Sequence, residues 1–144
     1  MIESDTIKLL RECDAVVKMG IASIDGVLDF AKSKDLFTLL DLSKKDHEKL
    51  KCEIKCLLEA YGDEGKNPGI MAKGMSYIKT NAKLSAEKSD NSVADLITDG
   101  CNMGVKSINK YLNLYKAADE KSKDIAKRIS QMEERLSRDV RGYL

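Results

Sequence analysis

The single histidine of the chain, His47, is the first place to look for chemistry. Imidazole changes charge near neutral pH and is the commonest side-chain ligand for transition metals. His47 falls on an apolar stripe where leucine or isoleucine is the ordinary occupant. Asp14 holds the same kind of position earlier in the chain. A carboxylate turned inward is unfavourable unless it is paired or ligated. Three readings stand together: Asp14 and His47 bond to each other as a structural pair, they lie partly exposed at a bundle edge, or they serve as metal ligands or in catalysis. In the third reading Asp99 is the further acidic candidate, and iron, manganese or zinc would be the ion.

A di-iron carboxylate centre needs a Glu from each of two helices and a Glu-x-x-His from each of two others. Three residues before His47 stands Lys44, whose charge would repel a cation, and the last helical segment offers Glu133 and Glu134 but no histidine. There is no His-Glu-x-x-His, no Cys-x-x-Cys and no glycine-rich phosphate loop. Asp63-Glu-Gly-Lys66 is too short for a calcium loop, and no Gly-x-Ser-x-Gly places a serine opposite His47. No catalytic residue is assigned, no cofactor is expected, and the balance is against an enzyme.

Four cysteines, Cys13, Cys52, Cys56 and Cys101, each sit in or beside an apolar run. Cys52 and Cys56 are four apart, so on a helix their Cβ atoms stand about 6 Å from each other. A disulfide needs about 4 Å, so the pair is expected to stay reduced. Partly buried thiols are the expectation for all four.

The elements that would position these residues are helical. Over residues 5–32 the inward stripe reads Ile7, Leu10, Asp14, Val17, Ile21, Ile24, Leu28, with spacings of three and four that mark one helical face. Over 35–61 it reads Phe37, Leu40, His47, Leu50, Ile54, Leu57, Tyr61, with Leu58 beside it and a skipped turn where Lys44 stands. Gly62 is a natural stop. Residues 62–69 are the clearest loop, and a shorter, weakly patterned helix is expected over 70–85. Residues 93–118 follow, with Ser92 and Asp95 at capping-box spacing and Gly100 and Gly104 four apart, so that another helix could approach closely. Tyr111 and Tyr115 share a face. Residues 121–141 carry Ile125, Ile129, Met132, Leu136 and Val140.

Two tight hairpins joined by a long connection predict a four-helix bundle with the second and third helices parallel. An up-down-up-down bundle with a large decorated loop is the other architecture considered. The length, 144 residues, suits one domain over 1–144. With 42% hydrophobic and 34% charged residues, one Pro and no Trp, the chain reads as globular and helical. The formal net charge is +1 with both signs interspersed, which argues against nucleic acid or acidic lipid as a partner. No apolar run is long enough to span a membrane, and with no targeting segment recognised a cytoplasmic location is the expectation.

The stretch His47-Glu-Lys-Leu-Lys-Cys-Glu-Ile-Lys-Cys-Leu-Leu-Glu-Ala-Tyr-Gly62, continuing Asp63-Glu-Gly-Lys-Asn-Pro-Gly-Ile-Met-Ala-Lys-Gly-Met-Ser-Tyr-Ile-Lys79, resembles an uncharacterised bacterial family of ferritin-like domains, the DUF2383 or PA2169-type proteins. Leu50, Ile54, Leu58, Gly62, Pro68, Ala72, Gly74 and Tyr77 are the matching positions. The resemblance extends more loosely over the later segments. It implies an all-α, ferritin-like four-helix bundle with a long crossover carrying a short extra helix, and it supplies no function. The ligand pattern of ferritin-like relatives does not map onto this chain. The expected role is therefore a non-catalytic helical bundle acting through self-association or a protein partner. The alternative is a degenerate ferritin-like metal-binding protein using Asp14, His47 and Asp99.

Overall fold

The computed structural model describes residues 4–63 and 89–144. Among them are four α-helices: α1 (Ser4–Val27), α2 (Lys34–Ala60), α3 (Asp90–Leu114) and α4 (Glu120–Val140). Short 3-10 turns, Leu28–Phe30 and Arg141–Tyr143, follow α1 and α4. The short helix expected over 70–85, with Pro68, Ala72, Gly74 and Tyr77, lies outside the described residues.

Local chemistry sets most of the helix ends. The Ser33 hydroxyl accepts the Leu36 N–H and opens α2. At its other end Gly62 takes φ +72°, and the Asp63 N–H reaches back to the Leu58 carbonyl at 2.8 Å. This is a Schellman closure, which only a residue tolerant of positive φ makes without strain. The third helix starts earlier than the sequence pattern suggests. Ser89 and Ser92 cap each other reciprocally, so Ser92 is inside the helix and serine takes the place of the usual glutamate. It also ends earlier, at Leu114, because Asp119 accepts the Ser122 N–H at 2.8 Å and starts α4.

Two carboxylates near helix starts fix how the hairpins sit. Asp90, opening α3, accepts the backbone N–H groups of Lys32 and Ser33 in the α1–α2 turn at 2.7 and 3.1 Å. At the opposite end Asp5 accepts the Ala117 N–H at 3.0 Å, and the Thr6 hydroxyl accepts the Asp119 N–H at 2.8 Å, both from the α3–α4 turn. Tyr61, after α2, lies at that same end and bonds Asp119. The start of α3 therefore meets the start of α2, and the two run parallel, whereas α1 runs antiparallel to both. An up-down-up-down path would have made α1 and α3 parallel.

The core has two apolar halves. One gathers Leu9, Leu10, Val17, Leu50, Ile54, Ile108, Ile125 and Ile129. The other gathers Ile24, Val27, Leu36, Leu40, Val93, Ile97, Leu136 and Val140. Fully burying side chains of this size contributes roughly 1.5–3 kcal/mol each. The α4 stripe is buried as the spacing predicts. The α2 stripe differs: Leu36 is buried and Phe37 is 41% exposed. Counting from Leu36, the inward positions are Leu40, Ser43, His47, Leu50, Ile54 and Leu58, an unbroken helical period. No turn is skipped, because Ser43 fills it, while Lys44 turns out to Asp25 at 2.7 Å. On α1 and the turn that follows it, Ile7, Ile21 and Leu28 are only half-buried, and Leu9, Cys13 and Val16 join the buried set. This helix packs against all three others, so its apolar face is wider than one stripe.

Candidate functional site

His47 lies at the junction of the two core halves, wholly shielded from solvent. The α2 period carries it inward between Leu40 and Leu50. Its partner comes from α4: Nε2 stands 2.6 Å from Oε1 of Glu133, itself 4% exposed. Nδ1 stands 2.7 Å from the Ser43 carbonyl oxygen, one turn back on α2. A carbonyl oxygen only accepts, so Nδ1 carries a hydrogen. A neutral ring would then aim its Nε2 lone pair at the carboxylate. The contact at 2.6 Å therefore holds one proton, on the ring as imidazolium or on the carboxyl.

Burial by itself pulls the His47 pKa down. The Glu133 hydrogen bond and charge, with the Ser43 carbonyl, outweigh it and raise the pKa above the ordinary 6.5. The Cys101 thiol, from α3, completes the cluster beside Glu133 at a small cavity. Burial first, then the negative charge of Glu133, pushes its pKa up. A thiol so placed stays protonated and is a poor nucleophile.

Glycines make room for the pair. A Cβ on Gly20 of α1 would lie 2.6 and 2.7 Å from Cδ2 and Nε2 of His47. A Cβ on Gly104 of α3 would meet Cγ of Glu133 at 3.4 Å. The backbones of α1 and α3 thus close on the pair. Gly100, the other half of the α3 glycine pair, looks instead toward Ser23 of α1. Between these small residues remains a cavity of about 30 Å³, bordered by His47, Glu133 and Cys101. That is enough for one water molecule and not for an organic substrate.

The residues singled out in the sequence do not come together. Asp14 is buried, but its carboxylate takes Lys18, one turn on, at 2.7 Å. Asp99 is exposed on α3. Among the described residues no group of three or more His, Cys, Asp or Glu is placed to hold a metal ion. All four cysteines are free thiols, Cys13 and Cys101 buried, Cys52 and Cys56 exposed. Tyr111 and Tyr115 do stack, 6.0 Å between centroids with planes 6° apart, and burial, then the nearby charge of Glu12, raises the Tyr111 pKa.

Glu133 was the residue that sequence reasoning missed as a partner. The signal was present: Ile129, Glu133, Leu136 and Val140 follow each other at four, three and four, so an acid stands on the inward stripe of α4.

No helix among the described residues is long and apolar enough to cross a membrane. Comparison with family models, with curated proteins and with solved structures finds no match for this chain.

Proposed function

We propose that the chain is one ferritin-like four-helix-bundle domain that acts without catalysis, through self-association or binding of a protein partner. The parallel placement of α2 and α3 supports the ferritin-like path that the DUF2383 resemblance implies. The observation carrying the functional reading is the seam between α2 and α4. There Leu42 is 57% exposed, and with Leu39 it borders a hollow of about 160 Å³ floored by Met132 and Leu136. Asp46, Arg135 and Asp139 rim it. An apolar floor with a rim of both charge signs is the anatomy of a protein interface, and both signs on one patch suit a self-complementary two-fold contact. His47 and Glu133 support the same reading, since both imidazole nitrogens and Glu133 Oε1 are already engaged with each other and with the Ser43 carbonyl.

Sedimentation equilibrium tests it. A dimer is expected, and Leu42→Glu should return it to monomer with the helix content unchanged. A strict monomer that captures no protein partner through this seam would refute the reading. A second reading, a degenerate site for iron, manganese or zinc, draws on one feature, the His47–Glu133 pair bordering a cavity, and would need further ligands, since among the described residues no three such groups are placed to hold an ion. An ion there would have to replace the shared proton. Stoichiometric metal in protein purified without chelators, lost on His47→Leu, would favour it, and protein that stays metal-free after anaerobic reloading would end it.

A further inference from the structure

Three turns along α2 from Leu42, the same seam changes character. Cys52 and Cys56 are both exposed, and both line one hollow of about 550 Å³ between α2 and α4. Across it stand Lys121, Asp124 and Arg128 of α4, with Lys49 on the α2 side. The two local acids are occupied: Glu53 holds Arg128 at 2.7 Å and Asp124 holds it at 3.2 Å.

We propose that Cys52 and Cys56 form a bis-thiolate site for a soft monovalent ion, copper(I).

Three observations carry it beyond the self-association reading, on which it does not depend. The first is spacing. Helical residues four apart have Cβ atoms about 5–6 Å from each other, too far for a relaxed disulfide but facing the same way. Two metal–sulfur bonds of about 2.3 Å each span roughly 4.6 Å, which two Sγ atoms on such Cβ atoms reach by side-chain rotation. The second is ligand number. Zinc takes four protein ligands in its closed sites. Here, among the described residues, no third His, Cys, Asp or Glu joins the pair as a ligand set. Soft thiolates select copper(I), and the pair suits it in two-coordinate form. The third is charge. Binding releases one proton from each thiol and takes up one positive charge, with no change of oxidation state, so the product is a bis-thiolate copper(I) anion. Lys49 and Lys121 line the hollow where that negative charge forms.

The test is anaerobic titration of the full chain with copper(I) against a chromophoric copper(I) chelator, with X-ray absorption to count sulfur neighbours. One ion per chain with two sulfurs is expected. Cys52→Ser and Cys56→Ser should each weaken binding more than about 100-fold, beyond the 10–100-fold typical of an outer partner of a ligand. Both positions are exposed, so circular dichroism should show the variants folded. No uptake, uptake that persists in the Cys52→Ser/Cys56→Ser double variant, or three or more sulfurs about the ion would each overturn the proposal.

Discussion

Breaking the His47–Glu133 pair one partner at a time, and then replacing both, measures what it does for the fold. Both groups are shielded from water and share one proton at 2.6 Å. Removing only one leaves the other as a buried polar or charged group with its main partner gone, a change that costs about 3–5 kcal/mol in comparable settings. His47→Leu and Glu133→Met should each lose about that much. A chain of 144 residues has roughly 7–20 kcal/mol of total stability at typical values per residue, so each variant should still fold. At about 2–4 °C per kcal/mol, the melting temperature should fall by roughly 6–20 °C. The double variant puts apolar side chains where both polar groups stood, and such exchanges are neutral or stabilising. It should lie within about 2 kcal/mol of the parent, giving a coupling of roughly 4 kcal/mol or more between the two sites. Urea unfolding followed by circular dichroism provides the four free energies of the cycle. Single variants that each lose less than about 1 kcal/mol and simply add in the double would refute the account of a coupled, proton-sharing pair.

Stability should also depend on pH through the same proton. The folded-state pKa of His47 is raised above its unfolded value near 6.5, so its contribution is complete below about pH 6.5 and is lost as pH rises through the folded value. The imidazole resonances, unambiguous because the chain has one histidine, should titrate above 6.5 and move downward in Glu133→Gln; a midpoint unmoved by that substitution would remove Glu133 as the cause. The Cys13 thiol, pushed up to about 12 chiefly by burial, adds a loss of the same sign only at higher pH, beginning near the unfolded thiol value. Gly20→Ala should destabilise by up to about 2 kcal/mol: overpacking a rigid ring costs about 1–3 against roughly 1 gained in helix propensity. A more stable Gly20→Ala protein by thermal melting would show that His47 has space to retreat.

Much of the fold was legible because period and punctuation agree. The last helix is the clearest case, its five apolar residues landing in the core at every predicted step. The α3 start was misread because serine does the work of glutamate in its cap. The site was half legible. Periodicity tells which face of a helix turns inward and therefore found His47, but not which helix stands opposite or at what height. Asp14 lies six residues, about 9 Å along the axis, from Gly20, where the ring actually abuts α1, and Lys18 satisfies it locally. Glycine at position 20 was the marker of the true level, and it reads as a weakness in a helix until the ring above it is seen. Cys52 and Cys56 were expected partly buried beside their apolar neighbours. They are exposed because that flank of α2 borders the unfilled seam rather than the core.

The polar layer between two greasy halves also bears on alignment. Leucines and isoleucines grip almost any like neighbour, so rods packed through them alone can slide past one another with little resistance. A slip of one turn between α2 and α4, about 5.4 Å, would strand the imidazole and the carboxyl among aliphatic groups on either side. One hydrogen bond at mid-height thus acts as a detent, holding two otherwise slippery helices at a single vertical offset.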